Sequence, residues 1–234
     1  MATIYDWPLV LGNHGHTLPY LEKQVASSGA TLSGNERVIG TDAGRWRYTL
    51  QTRIWSKKFA GDADRLLAWR GFMALVQGRL NLIRVPFFDS SDFIAANGLP
   101  ASLTAGQIPY SNGKLHSNGM GFAGPGVNGT ASVTAAGATT TQLTLPTGVV
   151  IQPGQWFSDG DRAYQIQSVA LVSGTTYTVQ FVPRLRAAFT AGQVVRFTKI
   201  SCVMRLVDES IQRVPMTPAS VLGQIDLDFT EALL

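Results

Sequence analysis

Between Arg45 and Asp89 the spacing of apolar side chains changes from two to three or four and back to two. In Arg45–Ile54 (RWRYTLQTRI), Trp46, Tyr48 and Leu50, then Thr52 and Ile54, fall on every second residue, and Arg45, Arg47, Gln51 and Arg53 take the other side. Side chains alternate across a strand, so this stretch predicts a half-buried strand with a basic outer face. A helix is predicted over 62–77. Asp62 can cap it, and Leu66, Trp69, Met73 and Val76 form a stripe at spacings of three and four. Gly78 suits the helix end, where a left-handed residue closes the last turn. Burying those four side chains contributes on the order of 6–12 kcal/mol, enough to hold the helix on a sheet. Asn81–Phe88 (NLIRVPFF) is the second strand, with Pro86 placing its end near a sheet edge.

The flanks of this unit read differently. Residues 1–22 hold Trp7, Pro8, Leu9, Leu11, Leu18 and Pro19 with two glycines, which predicts an extended arm or edge strand. Lys23–Gly34 reads as a strand and turn, and Asn35–Thr41 as a short strand adding to the same sheet. Residues 90–129 are rich in Gly, Pro and Asn without sustained periodicity, and predict an irregular excursion. Residues 130–200 alternate in short runs closed by turn residues, which is how small barrels and sandwiches read. Asp159-Gly160 marks a hairpin there, and Tyr177, Val179 and Phe181 share one strand face. Cys202–Val207 and Ile225–Phe229 return to the style of the first domain. The expectation is a mainly β protein: a β-sandwich or barrel domain from 1–89 and 201–234 with one flanking helix. A small β-barrel-like module at 130–200 interrupts it, behind the 90–129 linker.

Composition narrows the function. Charged residues are 15% of the 234, below the usual quarter, which suits a surface partly covered by partners. The net charge of +4 is spread along the chain, so sequence-specific nucleic-acid binding is not expected. The single Cys202 rules out an internal disulfide and sits in an apolar strand, where a thiol is inert packing. Residues 1–12 predict no signal peptide, and no apolar run is long enough to span a membrane. His14 and His16 could share one side of a strand, but no third metal ligand lies near them. Asp159 and Asp161 lack the rest of a calcium loop. Gly119–Gly129 lacks the ending of a phosphate loop, and no nucleophile elbow occurs. No enzyme, cofactor or metal is therefore expected. Trp46, Trp69 and Phe72 read as core, and Trp7, Trp55 and Trp156 as possible contact anchors. Trp156 and Tyr164 are close enough in sequence to line a surface-binding patch.

Several segments in order carry a family resemblance. They are Trp46-Arg-Tyr-Thr-Leu50, Ala68-Trp69-Arg-Gly-Phe72 and Leu75 with Gly78-Arg-Leu-Asn81. Ile151-Gln-Pro-Gly154-Gln-Trp-Phe157 with Tyr164-Gln-Ile166 follows, then Val182-Pro-Arg-Leu-Arg-Ala187 with Gly192-Gln-Val-Val195. Ile225–Phe229 and Glu231-Ala-Leu233 complete the set. Together they resemble minor tail proteins, of the distal-tail kind, from long-tailed bacteriophages and prophages. The resemblance implies a structural virion protein, made in the host bacterial cytoplasm, that forms a homo-oligomeric ring at the tail tip. A hexamer is implied, joining the tail tube protein to hub or fibre proteins, with phage DNA passing through the channel. The second reading is a carbohydrate- or receptor-binding module acting in host adsorption. Closed rings need head-to-tail contact between two different patches. The candidates for that contact are Trp7, Leu9 and Leu11 in the arm and Phe93, Ile94 and Leu103 in the 90–129 stretch. The arm is expected to dock on a neighbouring subunit. The basic strand face at Arg45, Arg47 and Arg53 is the further candidate.

Overall fold

The computed structural model describes residues 2–11, 15–23, 25–30, 36–40, 44–56, 62–87, 91–98, 107–108, 122–123, 126–208 and 222–233. In chain order the first elements are β1 (Ile4–Asp6), a short 3-10 turn (Leu9–Leu11), β2 (Gly15–His16) and β3 (Tyr20–Glu22). They are followed by β4 (Val25–Ala30), β5 (Glu36–Gly40), β6 (Arg45–Ser56), α1 (Asp62–Val76), β7 (Leu82–Pro86) and α2 (Ser91–Ala96). A small pair, β8 (Gln107–Ile108) and β9 (Phe122–Ala123), precedes β10 (Asn128–Ala131), β11 (Thr140–Thr144) and β12 (Trp156–Ser158). Then come β13 (Ala163–Ser173), β14 (Thr176–Val182), β15 (Gln193–Arg196), β16 (Ser201–Leu206) and β17 (Leu222–Glu231).

The protein is mainly β, as expected. A seven-stranded mixed sheet runs β1-β7-β16-β17-β6-β2, with β3 also paired to β6, and a closed six-stranded barrel, β10-β11-β14-β13-β12-β15, interrupts the chain. Both ends of the chain build the sheet, because β16 and β17 lie between β7 and β6. Central strands bury both faces. Cys202, Met204 and Leu206 enter the main core, while Val203 packs with Leu82 and Ala232 on the other side. The chain leaves and re-joins the sheet at one place, where the Phe87 N–H donates to the Ile200 carbonyl at 2.8 Å.

Helix α1 covers one face of the sheet. Trp69, Met73 and Val76 are buried as the stripe predicts, with Phe72 added and Leu66 packed against them. Gln77 and Gly78 both take positive φ (50° and 68°) and end the helix. Asn81 then ties that end to the N-terminal segment. Its Nδ2 donates to the Leu75 carbonyl at 2.9 Å, and its Oδ1 accepts the Thr3 N–H at 3.0 Å. The Asp62 side chain, and so its capping role, lies outside the described residues.

Two expectations about local structure are corrected, and a third is decided between its alternatives. Strands β4 and β5 pair with each other as a separate two-stranded sheet and do not extend the main one. Of the two readings of the N-terminal segment, the edge strand holds. Strand β1 is a parallel edge strand on β7, with Ile4 opposite Leu82 and Asp6 opposite Arg84. The 90–129 stretch holds helix α2, whose Phe93 and Ile94 lie in the barrel core, with Phe93 stacked on Phe197 at 5.4 Å. Lone apolar residues among turn formers hid that helix, because six residues are too few to display a helical period.

Candidate assembly surface

The predicted contact residues are mostly interior. Trp7 is 4% exposed and stands edge-on between Phe72 of the helix and Phe229 of β17, with ring centres 5.6 and 6.2 Å away. Leu11 is fully buried beneath it, and the Leu11 carbonyl accepts from buried Thr52 Oγ1 at 2.8 Å. Trp7, Leu11, Phe93 and Ile94 are therefore corrected from ring contacts to core. Trp7 and Leu11 fill the space between helix and sheet, and Phe93 and Ile94 fill the barrel core. Leu103 and the side chains of Leu9, Arg53 and Trp55 lie outside the described residues, as does His14.

Trp156 and Tyr164 are corrected in the same way. Trp156 is 3% exposed and packs 4.7 Å from Trp46 and 5.5 Å from Phe87, at the seam between barrel and sheet. Tyr164 is enclosed in the barrel, stacked on Phe157 at 5.2 Å and edge-on to Phe181 at 5.3 Å. Burial drives its phenol far above the usual range, so it stays neutral. The whole of Trp156–Ser158 is buried, because one side of β12 faces the barrel core and the other the sheet core. Burial likewise pushes the Cys202 thiol well up, which leaves it unreactive.

The barrel is joined to the sheet by polar contacts that the sequence did not signal. Trp46 Nε1 donates to the Ala163 carbonyl at 2.8 Å. The Val203 N–H donates to the Asp161 carbonyl at 2.8 Å, and Ser201 Oγ donates to that of Gly160 at 2.6 Å. Arg84 on β7 bridges Asp6 of β1 and Asp161 of the barrel hairpin. That hairpin turns at Gly160 (φ 107°), and Asp159 Oδ1 accepts the N–H groups of Asp161 and Arg162. Burial still raises the Asp159 carboxyl above its ordinary range.

At the other side of the seam, Arg186 reaches the Gly44 carbonyl and the buried carboxylate of Glu231, 3.2 Å away. Glu231 also accepts the Trp46 N–H at 3.2 Å, and Arg162 donates to the Ala232 carbonyl. A buried ion pair needs both partners and all its hydrogen bonds to offset desolvation. Glu231→Gln keeps the shape and removes the charge opposite Arg186. It is expected to lower stability by about 1.5–3 kcal/mol in urea unfolding, the range for a charged hydrogen bond. A loss below about 0.5 kcal/mol, ordinary for surface changes, would show that the pair does not hold the seam.

Two exposed patches are rich in apolar side chains. On the outer side of α1, Leu67 and Leu75 are 64% and 52% exposed, with Gly71 between them and Leu80 just beyond the helix at 62%. A Cβ on Gly71 would meet nothing within 4 Å, so this side is open. Between Lys114 and Asp159, and again between Arg162 and Arg184, the chain has no charged residue. The tip of the β13–β14 hairpin follows suit, with Leu171 and Val172 exposed. Of the predicted basic face, Arg45 is exposed and Arg47 pairs with Glu22 at 2.8 Å, a bond that lowers the Glu22 pKa. Among the described residues no cluster of three or more His, Cys, Asp or Glu could hold a metal, and no helix is long and apolar enough to cross a membrane. No protein-family model and no curated protein matches the chain.

Proposed function

We propose that this chain is a structural protein of a bacteriophage tail, forming a homo-oligomeric ring at the distal tip that joins the tail tube to hub or fibre proteins. The segments resembling minor tail proteins suggest the setting. The observation that carries assembly is helix α1, whose outer side shows Leu67 and Leu75 beside exposed Arg70, while among the described residues only its inner side is packed against the sheet. The exposed Leu67, Leu75 and Leu80 are therefore assigned to a second copy of the chain. The uncharged β13–β14 tip is a different patch of matching character, as head-to-tail closure requires. The carbohydrate- or receptor-binding reading rested on Trp156 and Tyr164, and both are buried.

Light scattering on a sizing column, with negative-stain images of the same peak, tests the ring. The unaltered chain is expected as closed rings. The double variant Leu67→Glu/Leu75→Glu is expected as a folded monomer, because neither side chain supports the core and exposed changes stay within about 0.5 kcal/mol. An unaltered chain that remains monomeric at high concentration overturns the ring. A double variant that still closes rings moves the contact away from α1.

A further inference from the structure

We infer that a cleft on the sheet, opposite the helix-covered face, binds a phosphate group. Arg45 at the start of β6, Arg205 on β16 and Arg79 in the turn after α1 line this one cleft, together with Thr230 and Leu233. Its floor is set by strand register. Thr230 on β17 is opposite Arg47 on one side and Arg205 on the other, so the basic side chains flank a hydroxyl. The acid lining the cleft, Glu231, is already engaged by Arg186 and the Trp46 N–H. Glu22 forms its salt bridge with Arg47, and Arg45 acts on it only through space. Three guanidinium groups thus converge without a salt bridge among the described residues.

Arg205 Nε is itself enclosed and meets no acceptor among the described residues, so an anion in the cleft is to be met by the outer nitrogens of that guanidinium. Like charges gathered at one cleft are costly, and one oxyanion offsets that cost. Guanidinium forks match the oxygens of carboxylate and phosphate alike. The formal charge of the three arginines decides between them: a phosphate monoester carries about −1.5 to −2 and has three acceptor oxygens, whereas a carboxylate carries a single charge. This inference is independent of the ring.

Inorganic phosphate is the probe, titrated against chloride at constant ionic strength and followed by 15N NMR of backbone and arginine Nε–H signals. A saturable shift is expected that includes Arg205 Nε–H. Arg45 and Arg79 are exposed, so Arg45→Ala/Arg79→Ala is expected to stay folded and to bind phosphate at least about tenfold more weakly. Arg45→Lys/Arg79→Lys keeps the charge but not the fork, and should fall between. A parallel titration with duplex DNA separates the sources. Tighter binding that weakens steeply with salt assigns the phosphate to a nucleic-acid backbone, and binding no tighter than inorganic phosphate assigns it to a small anion. No saturable shift in the unaltered chain, or equal affinity in the alanine variant, overturns the site.

Discussion

A chain lacking residues 2–12 is expected to lose its native fold. The deletion removes Trp7 and Leu11 from between helix and sheet, and strips β1 from the edge of β7. Large-to-small changes at such sites cost about 3–5 kcal/mol for Trp and 2–5 for Leu. Their sum reaches the whole stability of an ordinary domain, about 5–15 kcal/mol. Arg84 also loses Asp6, and Thr52 Oγ1 loses the Leu11 carbonyl, a buried hydroxyl left without its acceptor. Circular dichroism and amide dispersion should both collapse, with no cooperative urea transition. A deleted chain that unfolds at the same urea concentration as the intact one would show that the segment merely rests on the core. The outcome bears on assembly too: an arm that docked on a neighbour would leave a folded monomer behind.

The elements legible in the sequence are those whose burial has one sign per face. Strand β6 alternates cleanly because its partners cover one side only, and Trp46, Tyr48, Leu50 and Thr52 are all buried. The α1 stripe and the β14 face were legible for the same reason. Pairing β16 and β17 with the first unit needed one more step, the count of strands required to complete a sheet. The errors share a different cause. Trp7, Trp156 and Tyr164 stand near prolines, glycines or turns, where sequence reading favours the surface. Their burial comes from contacts remote in sequence: Trp7 with Phe229, Trp156 with Trp46, Tyr164 with Phe181. No local period reports such pairs.

The candidate surfaces were hidden by the same limit. The outer side of α1 shows in sequence as Leu67, Gly71 and Leu75 at spacings of four, but the inner stripe is larger and takes the eye. Only coordinates decide which of two apolar stripes is covered. The arginine cleft is less legible still, since Arg45, Arg79 and Arg205 are brought together by strand order and not by spacing. Arg45 was singled out as one of a strand face, and its two companions carried no signal that could be read from the chain alone.

Trp46→Ala is expected to be the most damaging single substitution, because Trp46 supports the sheet and the barrel seam at once. It lies on β6, is almost fully buried, and meets Trp156 of β12 edge-on at 4.7 Å. Emptying that space costs about 3–5 kcal/mol. The Ala163 carbonyl then loses its donor inside the seam, adding about 1 kcal/mol or more. Trp46→Phe separates the two contributions. It keeps most of the packing and removes Nε1–H, so its loss should be a few kcal/mol smaller than that of alanine. The seam gives a second readout. With Trp46 gone, Trp156 has lost an aromatic wall, and its fluorescence should shift toward that of a hydrated indole before global unfolding in urea. A total loss under about 1 kcal/mol for alanine, with the Trp156 signal unmoved, would mean that the barrel is held by Arg84, Arg186 and their carboxylates alone. Nothing in the packing favours that outcome, since Trp46, Phe87 and Trp156 fill the centre of the seam.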